Sequence, residues 1–203
     1  MKYGNVIDAE TMRQAGIEDV STAELAKEAF RAAGGKADEE CIERVNGMKE
    51  EYGSGVSTLI TLYNALGCSL HYKETRDWSG HRGKYEYDSP IYNGEWSCAL
   101  HVKTSGTATG SCGVIVYNLR GGYGDQDVLV VSWDTPFSGA NKANCYCMNI
   151  KTYDATSWDK IEEWANNGYA EKDHDLGLIR VRATIGQNSS PILRVVASQK
   201  ALF

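Results

Sequence analysis

The chain has 203 residues, a net charge of −6, 42% hydrophobic and 24% charged side chains. This composition is ordinary for a globular protein of one well-filled core, and it argues against wholesale disorder and against membrane-spanning helices. The acidic excess lies in residues 1–55, and the nearly neutral remainder has no basic stripe, so we expect neither a nucleic-acid partner nor strong attraction to anionic membranes.

The first residues are polar and acidic, with no apolar stretch of signal-peptide length after Lys2. We therefore expect a cytoplasmic protein whose cysteines remain reduced, because disulfides are rare in that compartment. The even number of cysteines leaves three disulfides as the alternative. The six are Cys41, Cys68, Cys98, Cys112, Cys145 and Cys147.

Residues 1–55 are predicted to form a helical extension that packs on the core. A capping box at residues 21–24 starts the first helix, because the side chains of Ser21 and Glu24 can each accept a backbone N–H. Apolar residues follow at helical spacing as far as the glycines at 34 and 35. Asp38 is predicted to cap a second helix that ends at Gly53, which completes a helical hairpin.

From Val56 onward the pattern changes to short β-branched and aromatic segments separated by Gly, Asn, Asp and Ser. One further helix is predicted to start at Thr156 or Ser157. The fold class is therefore mainly β (α+β), an antiparallel β-sandwich over residues 56–203. The predicted strands lie near residues 56–64, 68–74, 84–87, 96–103, 112–118, 127–133, 144–150, 177–185 and 191–198.

Motifs for catalysis and metal binding are absent from the sequence. The four histidines never form an H-x-x-x-H pair, and no phosphate-binding loop surrounds the glycines at 121, 122 and 124. Cys145 and Cys147 could begin a soft-metal site, although two small buried residues of a reduced core explain them better. We expect no enzyme activity, no cofactor and no metal.

Aromatic residues are concentrated in the β region and do not follow one alternating face. Some are therefore expected to point outward, where Tyr and Trp suit a choline headgroup, a sugar face or a membrane interface. The alternative is that most of them build the core. The residues expected at the surface are Trp78, Tyr85, Tyr87, Tyr92, Trp96, Tyr123 and Phe137.

Several motifs resemble the jasmonate-induced protein family of plants. They are YGSGV at residues 52–56, LYNA at 62–65, DWSGH at 77–81, NGEW at 93–96 and LHVKTSG at 100–106. The similarity extends from the two leading helices to residues 184–186. It implies a protein of plant stress or defence responses and supplies no mechanism.

The segment SWDTPFS at residues 132–138 is similar to the Trp-Asp-x-Pro-aromatic signature of aegerolysins and to a segment of the actinoporins. This resemblance implies an actinoporin/aegerolysin-like β-sandwich that recognises membrane lipids. Asp134 stands where actinoporins have serine, which favours the aegerolysin comparison. Pro136 stops the strand and fixes Phe137 on a rigid loop, while Asp134 can bond a ligand or cap its own turn.

The function predicted is non-catalytic recognition of a membrane lipid headgroup, at a site formed by the loops at 76–96 and 132–138. A carbohydrate-binding lectin is one alternative, and a partner-binding or storage-like protein is another. Oligomerisation stays open, and the acidic helices make pore insertion improbable. We expect Trp78, Trp96, Asp134 and Phe137 to converge on one open pocket. The predicted ligand-binding residues are Trp78, His81, Tyr85, Trp96, Trp133, Asp134, Pro136 and Phe137.

Overall fold

The computed structural model describes residues 1–18, 20–122 and 126–203. It contains eleven strands, five α-helices and a final 3₁₀ turn within this part of the chain. In chain order the elements are β1 (Lys2–Tyr3), α1 (Ala9–Gln14), α2 (Thr22–Arg31), α3 (Lys36–Tyr52), β2 (Ser57–Ala65), β3 (Ser69–Ser79), β4 (His81–Arg82), β5 (Trp96–Val102), β6 (Ser111–Arg120), β7 (Asp127–Thr135), β8 (Lys142–Asn149), α4 (Ile150–Asp154), α5 (Trp158–Asn166), β9 (Glu171–Leu176), β10 (Ile179–Ile185) and β11 (Ile192–Gln199).

The strands form two sheets. The larger sheet is seven-stranded in the order β1-β5-β2-β11-β10-β9, with β4 beside β5, and the smaller sheet is four-stranded in the order β3-β6-β7-β8. All pairings are antiparallel except that of β2 with β11, which both run from the same end of the larger sheet. The predicted mainly β, two-sheet fold is confirmed.

The core lies between the two sheets. Alternate residues of each strand point inward, as the two-residue period of a β-strand requires. Leu70, Leu119, Leu129, Leu193 and Val195 are fully buried there. This layer supports the loops at both ends of the sandwich, because the long strands that lead into them contribute residues to it.

Helices α2 and α3 cover the outer face of the larger sheet. Ala29, Val45 and Met48 are buried against Tyr63 of β2, and the Tyr63 hydroxyl donates a 2.6 Å hydrogen bond to the Ala29 carbonyl. At the start of α2 the Ser21 hydroxyl accepts the Glu24 N–H, and the Glu24 carboxylate accepts the Ser21 N–H. The predicted capping box is therefore confirmed. No helix among the residues described is long and apolar enough to cross a membrane.

The second predicted helix starts differently. Gly35, and not Asp38, is its N-cap residue. Asp38 lies inside the first turn, where the acidic side chain is favourable. Its carboxylate accepts two hydrogen bonds from the guanidinium of Arg194 at 2.5 and 2.8 Å, which ties α3 to β11.

Three other local predictions need correction. Residues 84–87 form no strand, because this segment crosses irregularly from β4 to the start of β5. The strand predicted at 177–185 begins at Ile179, since Gly177 adopts a positive φ of 56° in the turn of a β9–β10 hairpin. Strand β9 was missed because its sequence, EKDHDL, is strongly polar. Its charged side chains pair outward with β10, including Arg182 with Asp173 at 2.7 Å.

Helices α4 and α5 cover the outer face of the smaller sheet. Ser157 caps α5 by accepting the N–H of Lys160, as the sequence predicts. Ile161 and Tyr153 are buried against the valines of β6 and β7. Each sheet therefore has a helical cover, and the ends of the sandwich are left to the loops.

Candidate functional site

A shallow hollow opens beside Phe137 at the end of the sandwich where β2 and β11 begin and β5 and β7 end. Its volume is about 450 Å³. Its walls come from the residues after α3 and β5, from the β7–β8 loop and from the β10–β11 loop. This site, called here the Phe137 hollow, is lined by Lys49, Gly53, Ser54, Gly55, Val56, Lys103, Phe137, Ser189 and Ser190.

Among the residues described, Phe137 is the most exposed large apolar side chain, with 61% of its surface accessible. The loop that carries it is pressed against Gly110. A Cβ atom at Gly110 would lie 2.3 Å from the Thr135 carbonyl oxygen and 2.7 Å from Pro136 Cα. Only glycine permits this approach. The close packing of the loop on Gly110 and the fixed φ of Pro136 together keep the Phe137 ring pointing toward solvent.

The β7–β8 loop is locked to the β10–β11 loop by a buried amide. Asn141 is 5% exposed, and its side-chain N–H₂ donates to the carbonyls of Gly186 at 2.9 Å and Asn188 at 2.7 Å. Gln187 completes the pairing, because its side-chain oxygen accepts the Asn141 N–H and its amide donates to the Asn141 carbonyl. Four hydrogen bonds therefore give the rim of the hollow a defined shape.

Two ammonium groups stand at the hollow. Lys49 donates to the carbonyls of Gly53 at 2.6 Å and Gly55 at 2.8 Å, and Lys103 donates to the Thr107 carbonyl at 2.6 Å. Burial lowers the pKa of Lys49 from its ordinary value. An ammonium has three donors, so each lysine keeps at least one N–H for an anion in the hollow.

A buried polar network forms the floor beneath this end. The Ser111 hydroxyl lies 2.8 Å from Nδ1 of His101 and 2.7 Å from the hydroxyl of Thr58, and it accepts the indole N–H of Trp133 at 3.2 Å. Nε2 of His101 lies 3.1 Å from a carboxylate oxygen of Asp77. The network joins β2, β5 and β3 to β6 and β7, and so connects both sheets.

This serine–histidine–aspartate order is that of a hydrolase triad, but the surroundings are not. Ser111 and His101 are both fully buried, so a substrate cannot reach the hydroxyl in this structure. A nucleophile also needs a free attack direction, whereas the Ser111 oxygen is surrounded by three polar partners. The arrangement serves to hold strands together. Among the residues described, no three His, Cys, Asp or Glu side chains are grouped to hold a metal ion.

Of the predicted site residues, Pro136 and Phe137 lie at this rim. Trp78 and Asp134 lie beside it on the outer face of the smaller sheet, where Trp78 packs against the apolar layer under α5 and Asp134 stands opposite Lys142. Burial raises the pKa of Asp134, and the nearby Lys142 opposes this shift. Their role in ligand binding stays a prediction.

His81 lies on β4, and Tyr85 follows that strand and packs beside α3. His81 is exposed, opposite Val102 at the same end of the sandwich as Phe137. Tyr85 lines a separate hollow of about 270 Å³ and donates its hydroxyl to Glu51 at 2.8 Å. The guanidinium of Arg44 covers the Tyr85 ring at 4.6 Å. The structure therefore does not bring Tyr85 into the Phe137 hollow.

The predicted exposure of Trp96 is wrong, and Trp133 is equally unable to present its ring. Both are fully buried. The Trp96 ring packs at a tilt against Tyr63, with ring centroids 4.7 Å apart, and donates its indole N–H to the Ala33 carbonyl at 3.1 Å, beneath the helices. It begins β5, while Phe137 lies near the end of that strand, about 20 Å away at ~3.4 Å per residue. The two residues cannot converge on one pocket.

The other aromatic residues expected at the surface differ in their exposure. Tyr92 is 42% exposed at the opposite end of the sandwich, whereas Tyr87 is 6% exposed and stacks on Tyr72. Tyr123 lies outside the described residues. A position outside the strands therefore does not by itself expose a ring, since Tyr87 is buried in the irregular segment before β5.

Sequence reasoning missed the lysines and the serines of the hollow. Lys103 belongs to the LHVKTSG motif at residues 100–106, but the sequence assigned it no role. Lys49, Ser189 and Ser190 carried no signal. They reach the hollow only because α3 ends beside the β10–β11 loop.

Comparison with known proteins assigns the family. The model of the Nakanori-like protein family matches residues 3–201. The chain belongs to the Nakanori-like family. The predicted likeness to jasmonate-induced proteins is confirmed by the 23 kDa jasmonate-induced protein of barley, Hordeum vulgare, which is 32% identical over 93% of this chain and 92% of its own.

Solved structures agree with the family assignment. The crystal structure of the lipid-binding protein Nakanori superposes with a TM-score of 0.90 at 25% identity, covering 98% of this chain and 100% of that protein. The lectin XCL of Xerocomus chrysenteron reaches a TM-score of 0.44 at 15% identity over 70% of this chain and 99% of its own. That score is too low to bear on fold or function. Neither Nakanori nor the barley protein is described as an enzyme.

Proposed function

We propose that this protein binds a zwitterionic phospholipid at a membrane surface through the Phe137 hollow, without catalysis. The observation that carries the proposal is a 61% exposed phenylalanine, held on a hydrogen-bonded loop beside two ammonium groups. An exposed ring on a fixed loop costs little conformational entropy to insert, because the loop is already in place.

The hollow suits a phosphodiester headgroup. Lys49 and Lys103 provide cationic donors, and the hydroxyls of Ser54, Ser189 and Ser190 provide neutral ones. Phosphate oxygens accept both kinds of hydrogen bond. Residues 56–203 are almost electrically neutral, with 15 acidic and 14 basic side chains, so we do not expect general attraction to an anionic surface to drive binding. We expect binding to depend instead on local complementarity to one headgroup.

Phe137 supplies the apolar part of the interaction. Moving an exposed phenylalanine side chain into the membrane interface contributes about 1.5–3 kcal/mol, which corresponds to a factor of roughly 10–150 in affinity. Pro136 and Gly110 matter because they keep the ring outward. This division resembles other peripheral membrane proteins, in which an aromatic anchor enters the interface and polar groups select the headgroup.

A larger hollow elsewhere is a weaker candidate. It has a volume of about 680 Å³ and lies between α1, α2 and the N-terminal segment, lined mainly by apolar residues that include Ile7, Met12 and Ile17. Glu28 is its charged wall residue. A carboxylate repels a lipid phosphate, so this surface does not suit a phospholipid headgroup.

The family relationship supports the proposal. Nakanori, which shares the fold over nearly the whole chain at 25% identity, is a lipid-binding protein. The barley relative is jasmonate-induced, which favours a role in plant stress or defence responses. The cytoplasmic location expected from the sequence stays part of this proposal.

Vesicle sedimentation would test the proposal. Phosphatidylcholine and sphingomyelin vesicles, each with and without cholesterol, would be mixed with the protein and with the variant F137A. We expect F137A to weaken binding at least tenfold. L178A is the matched control, because Leu178 is 60% exposed in the β9–β10 turn at the opposite end, and it should change binding less than twofold.

The outcomes separate the alternatives. Equal binding by F137A and wild type, or an effect of L178A alone, would move the site away from the Phe137 hollow. Failure to bind every vesicle would contradict lipid recognition. Binding on a glycan array would then support the sugar-binding alternative, since a hydroxyl-rich hollow with one exposed ring also suits a sugar. Negative results in both screens would favour a protein partner.

A further inference from the structure

Cys41 and Cys98 form a buried pair of thiols far from the Phe137 hollow. Cys41 lies on α3 and Cys98 on β5, and their accessible fractions are 0% and 1%. Both belong to the same buried cluster between α3 and the larger sheet. The Cys41 sulfur also lies 3.7 Å from the Ser97 carbonyl oxygen, so α3 packs directly over this part of β5. The Phe137 hollow uses neither residue.

The pKa values of the two thiols are shifted in opposite directions. The neighbouring thiol of Cys41 lowers the pKa of Cys98, with burial acting in the opposite direction and the charge of Arg44 adding to the lowering. The neighbouring thiol of Cys98 in turn raises the pKa of Cys41, and burial raises it further. The thiolate therefore forms first at Cys98, with the proton kept on Cys41. This is the division of roles in a dithiol that reacts with oxidants, because the thiolate is the nucleophile.

The cover over Cys98 is thin. Strand β1 is two residues long and pairs with β5 through Lys2 opposite Ser97 and Tyr3 opposite Trp96. The Met1 carbonyl oxygen lies 3.7 Å from the Cys98 sulfur. A two-residue strand at the edge of a sheet opens at little cost, so a small oxidant can reach the sulfur without unfolding the core.

We propose that Cys41 and Cys98 are a redox-active dithiol, which a hydroperoxide such as hydrogen peroxide converts to an intramolecular disulfide. The Cys98 thiolate attacks a peroxide oxygen, so that an S–O bond forms, the O–O bond breaks and hydroxide leaves to become water. The Cys41 sulfur then attacks the resulting sulfenic acid, the S–S bond forms and a second water leaves. Two thiols lose two electrons and two hydrogen atoms, and the peroxide gains them.

The disulfide would fasten α3 to β5 and close the long loop between residues 41 and 98. Closing such a loop restricts the unfolded chain, so we expect the oxidised protein to have a Tm higher by on the order of 10 °C. Oxidative stress would thereby produce a more stable form of the protein. The Phe137 hollow lies at another part of the fold, so the proposal does not depend on the lipid-binding function.

Peroxide treatment of the purified, reduced wild type tests this directly. We expect the intact mass to fall by two hydrogen atoms, and a non-reducing digest to contain one peptide pair joined through Cys41 and Cys98. Dithiothreitol should reverse both changes and lower Tm again. This readout needs no variant, so it holds even if a substitution impairs folding. A digest without the Cys41–Cys98 pair would overturn the proposal.

Variants assign the roles. C41S should stop at the sulfenic acid of Cys98, which dimedone traps, and C98S should show no peroxide-dependent change at this pair. C112S is the matched control, because Cys112 is also buried but lies on the smaller sheet, and it should oxidise like the wild type. Far-UV circular dichroism of the reduced variants checks folding. Dimedone labelling of Cys41 in C98S, equal to that of Cys98 in C41S, would refute the assigned order.

Discussion

Replacing Ser111 by alanine tests whether the buried network under the Phe137 hollow stabilises the fold. The change removes one oxygen that contacts His101, Thr58 and Trp133 at 2.8, 2.7 and 3.2 Å. Thr58 keeps the Thr135 hydroxyl at 2.9 Å. The indole N–H of Trp133 and Nδ1 of His101 lose the partner at Ser111.

The expected loss follows from those two orphaned groups. A buried polar group without a partner costs about 1–3 kcal/mol, so two such groups in S111A should reduce the free energy of unfolding by roughly 2–6 kcal/mol. For a chain of this length that corresponds to a Tm lower by roughly 4–24 °C. The double variant S111A/W133F removes the orphaned indole N–H as well, and should therefore lose less than the two single changes added together.

Urea unfolding followed by tryptophan fluorescence and circular dichroism measures both values. S105A is the control, because Ser105 is exposed in the β5–β6 loop and should change stability by no more than about 0.5 kcal/mol. If S111A matched S105A, or if the double variant were fully additive, the network would not hold the strands in the way described.

Three further changes test other parts of the structure. N141A removes two buried hydrogen bonds of 2.9 and 2.7 Å, so the Tm measured by calorimetry should fall by roughly 5–10 °C. Vesicle binding should also weaken. If the folded variant bound vesicles as well as the wild type, a rigid rim would not be needed for binding. Burial lowers the pKa of His174, whose Nδ1 accepts the Cys147 N–H at 3.2 Å. As pH falls, the unfolded state takes up a proton on His174 at higher pH than the folded state does. The contribution of His174 to the free energy of unfolding should therefore be complete above the unfolded pKa of about 6.5 and decrease as pH drops below it. The urea midpoint of H174N should depend less on pH in this range than that of the wild type, and parallel profiles would contradict the account. G110A should destabilise the β7–β8 loop strongly because its Cβ would meet backbone at 2.3 Å, whereas G34A, with no atom near its Cβ, should be neutral or stabilising in the same Tm measurement; equal Tm values would be inconsistent with the close approach.

Local chemistry made much of the fold predictable. The capping box at Ser21, the cap at Ser157 and the short β-branched and aromatic segments of β5 to β8 depend on only a few neighbouring residues, so the sequence alone indicates them. Strand β9 escaped prediction because its six residues are polar, and they are extended only because β10 supplies a hydrogen-bonding edge and opposite charges.

The candidate site was predictable only in part. The Trp-Asp-x-Pro-Phe run indicates a loop with an outward ring, because proline ends the strand at a fixed place. The burial of Trp96 and Trp133 was not predictable from their residue type. A tryptophan suits both a core and a surface, and which one it occupies depends on the element packed over it.

The amino-acid sequence by itself determined a mainly β protein with acidic leading helices, a rigid Pro136–Phe137 loop and a likeness to jasmonate-induced proteins. Only the tertiary structure decided that Lys49, Lys103 and Phe137 share one hollow, that His101 and Ser111 are buried beneath it and that Cys41 and Cys98 share one buried cluster. The physical reason is range. Caps, turns and alternation depend on neighbours a few residues away, whereas these groupings join residues from distant strands and helices, and their positions follow from how the two sheets and their helical covers pack.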